Sequence, residues 1–331
     1  MFDQTQTARD RAPKITVVTT MKDEGPYILD WIAHYRSLGV TDFVVFTNDC
    51  SDPTDHILRC LNRLGFVHHR FNRVMRRGPH KSALMWAQYE PAVREADWVM
   101  VIDVDEYLQI DVGDGTLPGL INMYPEVDAI SFVWRVFGNA GVQEITDAPV
   151  PLQFTKAIAR EGAANENRFF KTLHRNSPKF ARLGVHRPFL ADGPKGINWI
   201  LPDGASLTAE EIEKALFAVG HYGYAGAQLN HYALRSLDGF LVKKLRGRAN
   251  HHTKTIEDGY WRRFDHSVED DLSLAENFDA GMQIRERFLR IEDLRKWHEE
   301  ALEWHRKRAR QARKDPDILA MLEKLQQEQT A

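Results

Sequence analysis

Over its first hundred residues the chain alternates β-branched apolar runs with segments of helical period, a pattern that calls for an α/β layer built on a parallel sheet. ITVVTT at Ile15–Thr20 is the first strand run. Pro26 at a first helical position, then Ile28, Trp31, Ile32, Tyr35 and Leu38 at helical spacing, and Gly39 as a stop describe an amphipathic helix. Phe43–Phe46 is the next strand, after which Ser51 or Asp52 caps a helix that starts at Pro53 and ends at Gly65. A short strand near Phe66–His69 and a helix over Lys81–Ala96, bent at Pro91, follow. Trp98–Ile102 is a continuous apolar run of the kind buried on both faces of a sheet, and it discharges directly into Asp103-Val104-Asp105-Glu106.

Beyond this the pattern weakens. Ala129–Phe137 reads as a strand, whereas Gly138–Gly204, rich in Gly, Pro and Asn, reads as irregular with functional loops. Thr208 with Glu211 makes a capping box for a helix ending at Gly220. A short strand and a helix from about Ser236 to Arg246 come next, and from about Arg285 the chain is helical and charged with both signs, a tail or packing appendage. No repeat or low-complexity tract is present.

Charge and cysteine count narrow the function. The 331 residues hold 44 Lys and Arg against 47 Asp and Glu, a net charge of −3, so the basic excess of a nucleic-acid binder is missing. Cys50 and Cys60 are too few and wrongly spaced for a redox pair, a zinc cluster or a disulfide framework. With a polar start lacking an apolar signal region, and no stretch approaching the roughly 18 apolar residues of a membrane span, the expectation is a cytoplasmic protein that meets membranes only as a peripheral contact on the inner face.

Ligands of an open parallel sheet bind beyond the carboxyl ends of its strands. There this chain places Lys22, Asp23 and Glu24 after the first strand, Asn48, Asp49, Ser51 and Asp52 after the second, and Asp103, Asp105 and Glu106 after the apolar run. So many carboxylates on one edge repel each other unless a cation sits among them. Neither GxGxxG after the first strand nor GxxxxGK[ST] occurs, so a bound phosphate is not cradled by glycines. Asp-x-Asp holding Mg²⁺ or Mn²⁺, completed by substrate phosphate oxygens, would neutralise it. A lone Asp-x-Asp more often merely ends a strand, but the neighbouring acidic loops favour the ligand reading.

The segments MKDEGPYILDWIAHYRSLGV, FTNDCSDPTDHIL, ADWVMVIDVDEYL and LNHYALRSLDGFLVKKLRG resemble the successive signatures of the glycosyltransferase family 2 type, over roughly residues 14–250. The resemblance implies a GT-A fold: Rossmann-like, a mostly parallel twisted sheet flanked by helices, here with a helical C-terminal appendage. It implies a UDP- or GDP-linked nucleotide-sugar donor, Mn²⁺ or Mg²⁺, and inverting transfer to a saccharide or lipid-linked acceptor in polysaccharide or glycolipid assembly. The expected layout is a flexible N-terminus over 1–13, a catalytic domain over 14–250 with nucleotide-binding (14–110) and acceptor-side (111–250) halves, and a helical extension over 251–331.

Carried over by position, Asp103 and Asp105 match the DxD, one near the ribose and the other on the metal, with His231 completing the metal sphere and His186 in reserve. Glu24 and Asp52 match the acidic lining of the nucleoside pocket, with Thr20, Lys22 and Asn48 beside them, and Lys81, Arg168 and Lys171 bring positive charge to the donor. The second loop departs from the family's D-N-x-S-x-D-x-T, since Thr47 and Cys50 replace its Asp and Ser, while Asn48, Asp52 and Thr54 stay in register. Glu144 and Asp147 are the candidate general bases, with Asp192 a further acid.

Two rival classes compete. A haloacid-dehalogenase-like phosphohydrolase would use Asp103 and Asp105 as nucleophile and acid, but the motif follows a fourth strand, and Glu106-Tyr107 replaces the residues expected there. A non-catalytic nucleotide-sugar binding protein is the other rival. At the C-terminus, Trp297, Leu302 and Trp304 among Lys and Arg suit an anionic membrane, yet Glu299, Glu300 and Glu303 interrupt the basic face, so packing on the catalytic domain is preferred.

Overall fold

The computed structural model describes residues 11–160, 169–213, 223–246 and 259–330. Arg168, most of the N-terminal segment and the end of the capping-box helix lie outside the described residues.

Four parallel strands, β1 (Ile15–Met21), β2 (Asp42–Thr47), β3 (His68–Phe71) and β4 (Trp98–Val101), lie side by side in the order β3-β2-β1-β4. Every residue of β1 and β4 is buried because both faces are covered. On one face, Val17, Val45 and Met100 pack with Trp31 and Ile32 of helix α1 (Ile28–Ser37) and Ile57 and Leu61 of α2 (Thr54–Arg63). On the other, Val18, Val44 and Val99 pack with Ala83, Leu84 and Ala87 of α3 (Pro79–Ala87). Gly39 and Gly65 stop α1 and α2 with φ of +92° and +77°, a left-handed turn that a side chain would strain. The expected Lys81–Ala96 helix is two pieces, α3 and a turn over Pro91–Arg94, because Pro91 opens a new first turn after extended Glu90.

The chain continues through β5 (Glu106–Ile110), β6 (Ala129–Val136), short β7 (Lys156–Ala157), β8 (Phe170–Arg175), β9 (Phe180–Arg182), β10 (Phe189–Leu190), β11 (Trp199–Ile200), β12 (Ala227–His231) and β13 (Glu269–Asp270). Beyond β4 the order is β8-β6-β12-β5, with β11 alongside β6. The β4–β8, β8–β6 and β12–β5 pairs are antiparallel and the remaining pairs of this sheet parallel, so the sheet is mixed but mostly parallel, as expected. β9 pairs with β10 and β7 with β13 as separate ribbons.

β8 corrects the sequence reading, since it runs through the centre of the sheet inside a stretch expected to be irregular. Its flanks supply the Gly, Pro and Asn signal, and buried Lys171, Thr172 and His174 interrupt the apolar pattern of a central strand.

The expected helical C-terminal region is present as Asp279–Leu289, Glu292–Ala312 and Pro316–Thr330, and it packs against the rest of the fold. Phe288, Leu294 and Ala301 belong to the same apolar core as α1 and α2, and each large apolar side chain so buried contributes about 1.5–3 kcal/mol. Leu302 is buried and Trp297 stacks on His56 at 4.0 Å between ring centres, so this helix turns apolar surface toward the protein. Among the described residues no helix is long and apolar enough to cross a membrane.

Candidate functional site

The strand order reverses between β1 and β4: the chain runs outward from β1 to β2 and β3, then returns to β1's other side as β4. A crevice opens at the carboxyl ends of such a pair, and here those ends carry Lys22-Asp23-Glu24 and Asp103-Val104-Asp105.

The two aspartates of the DxD face different partners. Lys171 Nζ, fully buried on β8, donates to Asp103 Oδ2 at 2.8 Å and lies 3.5 Å from Glu106 Oε2. Burial pushes the Asp103 carboxyl up, but the charge and hydrogen bond of Lys171 together with His80 outweigh it and leave it below the usual carboxylate range. Burial, reinforced by Asp103 and Asp105, holds Glu106 well above that range despite Lys171, and its Oε2 accepts the Asp103 N–H at 2.8 Å. Asp105 pairs instead with Lys243 Nζ at 2.9 Å, from the helix Leu237–Arg246, and with His231 Nε2 at 3.9 Å. Against burial, Lys243, His231 and Arg235 keep Asp105 well below the usual range. His231, stacked on Trp134 at 3.9 Å, is pushed down to about 4, chiefly by burial, so its imidazole is neutral at pH 7.

Of the expected metal set of Asp103, Asp105 and His231, the structure brings Asp105 and His231 within 3.9 Å of each other and pairs Asp103 with Lys171. Among the described residues no group of three or more His, Cys, Asp or Glu is arranged to hold a metal ion. Asp105 and His231 do fit one: an ionised carboxylate faces Nε2 of a neutral imidazole at 3.9 Å, and hard divalent cations accept one or two protein ligands with the rest from phosphate and water.

The carboxylates expected in the nucleoside pocket are occupied by protein. Glu24 is clamped by Arg235, whose Nη1 lies 2.8 Å from Oε2, and by Arg246, which also bonds the carbonyls of Lys22 and Asp23. Arg235 adopts φ of +58°, uncommon for a long side chain, while its guanidinium lies 3.6 Å from the Tyr27 ring centre and donates to Val104 O. Asp52 is a structural buckle. Its Oδ2 accepts from Gly25 N–H at 2.9 Å and meets His305 Nε2 at 2.8 Å, while Oδ1 accepts from Thr54 N–H at 2.9 Å. Burial raises this carboxyl, but the His305 and Thr54 bonds bring it below its ordinary value. Gly25 fits this knot because a Cβ there would lie 2.6 Å from Ala301 Cβ and 2.8 Å from Asp52 Oδ2.

Thr20 is buried near the end of β1, and Asn48 donates to Asp49 Oδ2 at 3.2 Å, so both stand at the strand ends as expected. Lys22 is half-buried beside them, and Lys81 is exposed on α3, lining a separate cavity with His186. Of the candidate bases, Asp147 is bonded by Arg285 and by His298 at 2.6 Å, and these outweigh burial to lower it. Glu144 and Asp192 are exposed, and no described contact joins either to the DxD. Sequence reasoning missed Arg235, Lys243 and Arg246, although all three stand inside the quoted LNHYALRSLDGFLVKKLRG segment, where a basic helix one strand away from an acidic loop was the available signal.

The chain is 21% identical over 220 residues to a glycosyltransferase family 92 protein of rice, Oryza sativa subsp. japonica, covering 65% of this chain and 34% of that one. It is 20% identical over 230 residues to a glycosyltransferase family 92 protein of Ricinus communis, covering 65% and 36%. The chain thus spans about a third of the length of these curated relatives. Among solved structures, Staphylococcus aureus TarS 1–349 in complex with UDP-GlcNAc aligns over 84% of this chain and 73% of its own at 12% identity, with a TM-score of 0.33. The glycosyltransferase expectation stands, with family 92 in place of the family 2 type: the family 92 model matches residues 18–303, and the chain belongs to glycosyltransferase family 92.

Proposed function

We propose that the chain transfers a sugar, with inversion, from a nucleotide-sugar donor to a hydroxyl of a saccharide or lipid-linked acceptor. The observation that carries this reading is the Asp105, His231 and Lys243 group at the β1/β4 crevice of a glycosyltransferase-family chain. In the reaction the acceptor oxygen attacks the anomeric carbon, the bond from that carbon to the diphosphate breaks, and the diphosphate keeps the electron pair. Lys243, whose ammonium is held charged by Asp105 against the effect of burial, supports the growing negative charge. Asp105 and His231 would hold a divalent cation, Mn²⁺ or Mg²⁺, which when bound supplies Lewis-acid stabilisation of the leaving group. Glu144, exposed and without a described partner, is the better base candidate, because the Asp147 oxygen nearest its neighbours is already hydrogen-bonded.

Ligand-dependent melting of the full chain tests this reading. UDP, GDP, CDP, ADP and dTDP are compared with and without Mn²⁺ or Mg²⁺. One nucleoside diphosphate should raise the melting temperature, and more so with metal. No shift with any of them overturns the donor assignment.

A further inference from the structure

A cavity of about 550 Å³ opens between α3 and the segment from Arg182 to Phe189, within the size range of small-ligand sites. Its lining is one-signed. Arg77, Lys81, Arg182 and Arg187 contribute to it and no Asp or Glu does, in a chain whose net charge is −3. Arg77, Lys81 and Arg182 have no carboxylate partner among the described residues, while Arg187 donates to the backbone carbonyl of Glu213. Glu213 offsets part of the Arg187 charge, but cations gathered in a concave site that no carboxylate lines raise the local potential for an anion.

The wall is built rather than incidental. The Arg182 guanidinium lies 3.6 Å from the Phe189 ring centre, which fixes both across the loop. Gly184 lets the segment double back, since a Cβ there would come within 2.1 Å of Arg187 O. Leu84, Met85 and Val185 supply apolar floor, suited to the flat face of a sugar ring.

The cavity adjoins the DxD without belonging to the donor crevice. His186, in its lining, bonds Phe170 O through Nδ1 at 3.0 Å, and the next residue, Lys171, holds Asp103. None of Lys22, Glu24, Asn48 or Asp52 lines it. A ligand seated there lies near Asp103 and Lys171 without touching the loops after the first two strands.

We propose that this cavity is the acceptor subsite and takes a saccharide bearing a phosphate or carboxylate group, an inference that rests on the glycosyl-transfer reading above. The test is calorimetric titration of the full chain with glucose 6-phosphate, glucuronate, glucose, inorganic phosphate and UDP, repeated on an Arg77→Gln/Arg182→Gln variant and on Arg182→Gln alone, each checked for a cooperative melt. Glucose 6-phosphate and glucuronate should bind at least about tenfold more tightly than glucose, and the variants should lose that preference while UDP affinity holds. If glucose 6-phosphate binds no better than glucose while UDP binds, this inference alone is overturned. If it binds no better than inorganic phosphate, the site is a bare anion site and the saccharide part of the inference falls. Parallel loss of UDP affinity in the variants gives the cavity to the donor and also overturns it. Binding of the sugar phosphate with no nucleotide binding overturns the transfer reading, and the acceptor role with it.

Discussion

Two acidic strand ends meet at the same crevice and look alike as sequence, but they do opposite work. After β1 and β2, Glu24 and Asp52 are almost wholly enclosed and every oxygen is engaged, by Arg235 and Arg246 in one case and by Gly25, Thr54 and His305 in the other. After β4, Asp103 and Asp105 each meet one lysine, and their side chains remain 30% and 16% exposed. A carboxylate whose partners are backbone amides and a helix-borne His ties the chain together. One that faces a single ammonium and an open crevice can exchange that partner for a ligand.

The sharpest break in this comparison is Asp105→Asn. Removing the charge that faces Lys243 and His231 should lower turnover by about 10²–10³-fold or more, read as nucleoside diphosphate release. Turnover within threefold of wild type would move the chemistry away from the DxD.

Asp52→Ala probes the other side. It strips acceptors from Gly25 and Thr54 N–H and leaves His305 enclosed without its partner, so urea denaturation should report a loss of about 3–5 kcal/mol. Nucleotide affinity of the folded fraction should stay within about twofold of wild type. A stable variant with weakened nucleotide binding would return Asp52 to the nucleoside pocket.

That division was only half legible in the sequence. The strand and helix alternation, the glycine stops and the apolar run into Asp103 rest on local periodicity, and the first four strands follow it closely. The acidic edge was legible as a collection of residue types. Of its partners, Lys171 and His231 came only with the family resemblance and Lys243 and His305 not at all, since these last two reach the loops from 138 and 253 residues away. The strand that carries Lys171 was hidden, because a buried lysine on a central strand breaks the pattern by which such a strand is read, and its pairing with Asp103 permits it there. Asp52 shows the converse, a family ligand position whose oxygens here bond Gly25, Thr54 and His305 in the knot joining the two loops to the C-terminal helix.

Acid should distinguish the two regions more gently. Asp52 lies below its ordinary value of 3.8 in the folded chain, so its contribution to stability is present above that pH and is lost as the pH falls through the lower folded value. Urea midpoints of wild type and Asp52→Asn, measured from pH 6 down to pH 2, should converge toward the acid end, the variant showing the shallower fall. Asp147 is lowered too, but half its side chain is in water, so Asp147→Asn should flatten the curve less. Parallel curves for wild type and Asp52→Asn would remove the electrostatic part of the buckle.

The smallest structural effect is expected at Glu144, and it separates positioning from chemistry in the same loop. Glu144→Gln changes an exposed side chain without a described partner, so stability should move by no more than about 0.5 kcal/mol, whereas turnover should fall by about 10²-fold or more where Glu144 is the base. Asp147→Asn should do the reverse, weakening the contact with Arg285 and His298 and costing about 1–2 kcal/mol while turnover keeps its pH profile. The pH dependence of turnover decides between them, since loss of the base removes the acid limb of the profile and loss of a positioning contact lowers it uniformly. If Glu144→Gln keeps both rate and profile, the base lies on another element, and Asp192, exposed beyond β10, is the next acid to change.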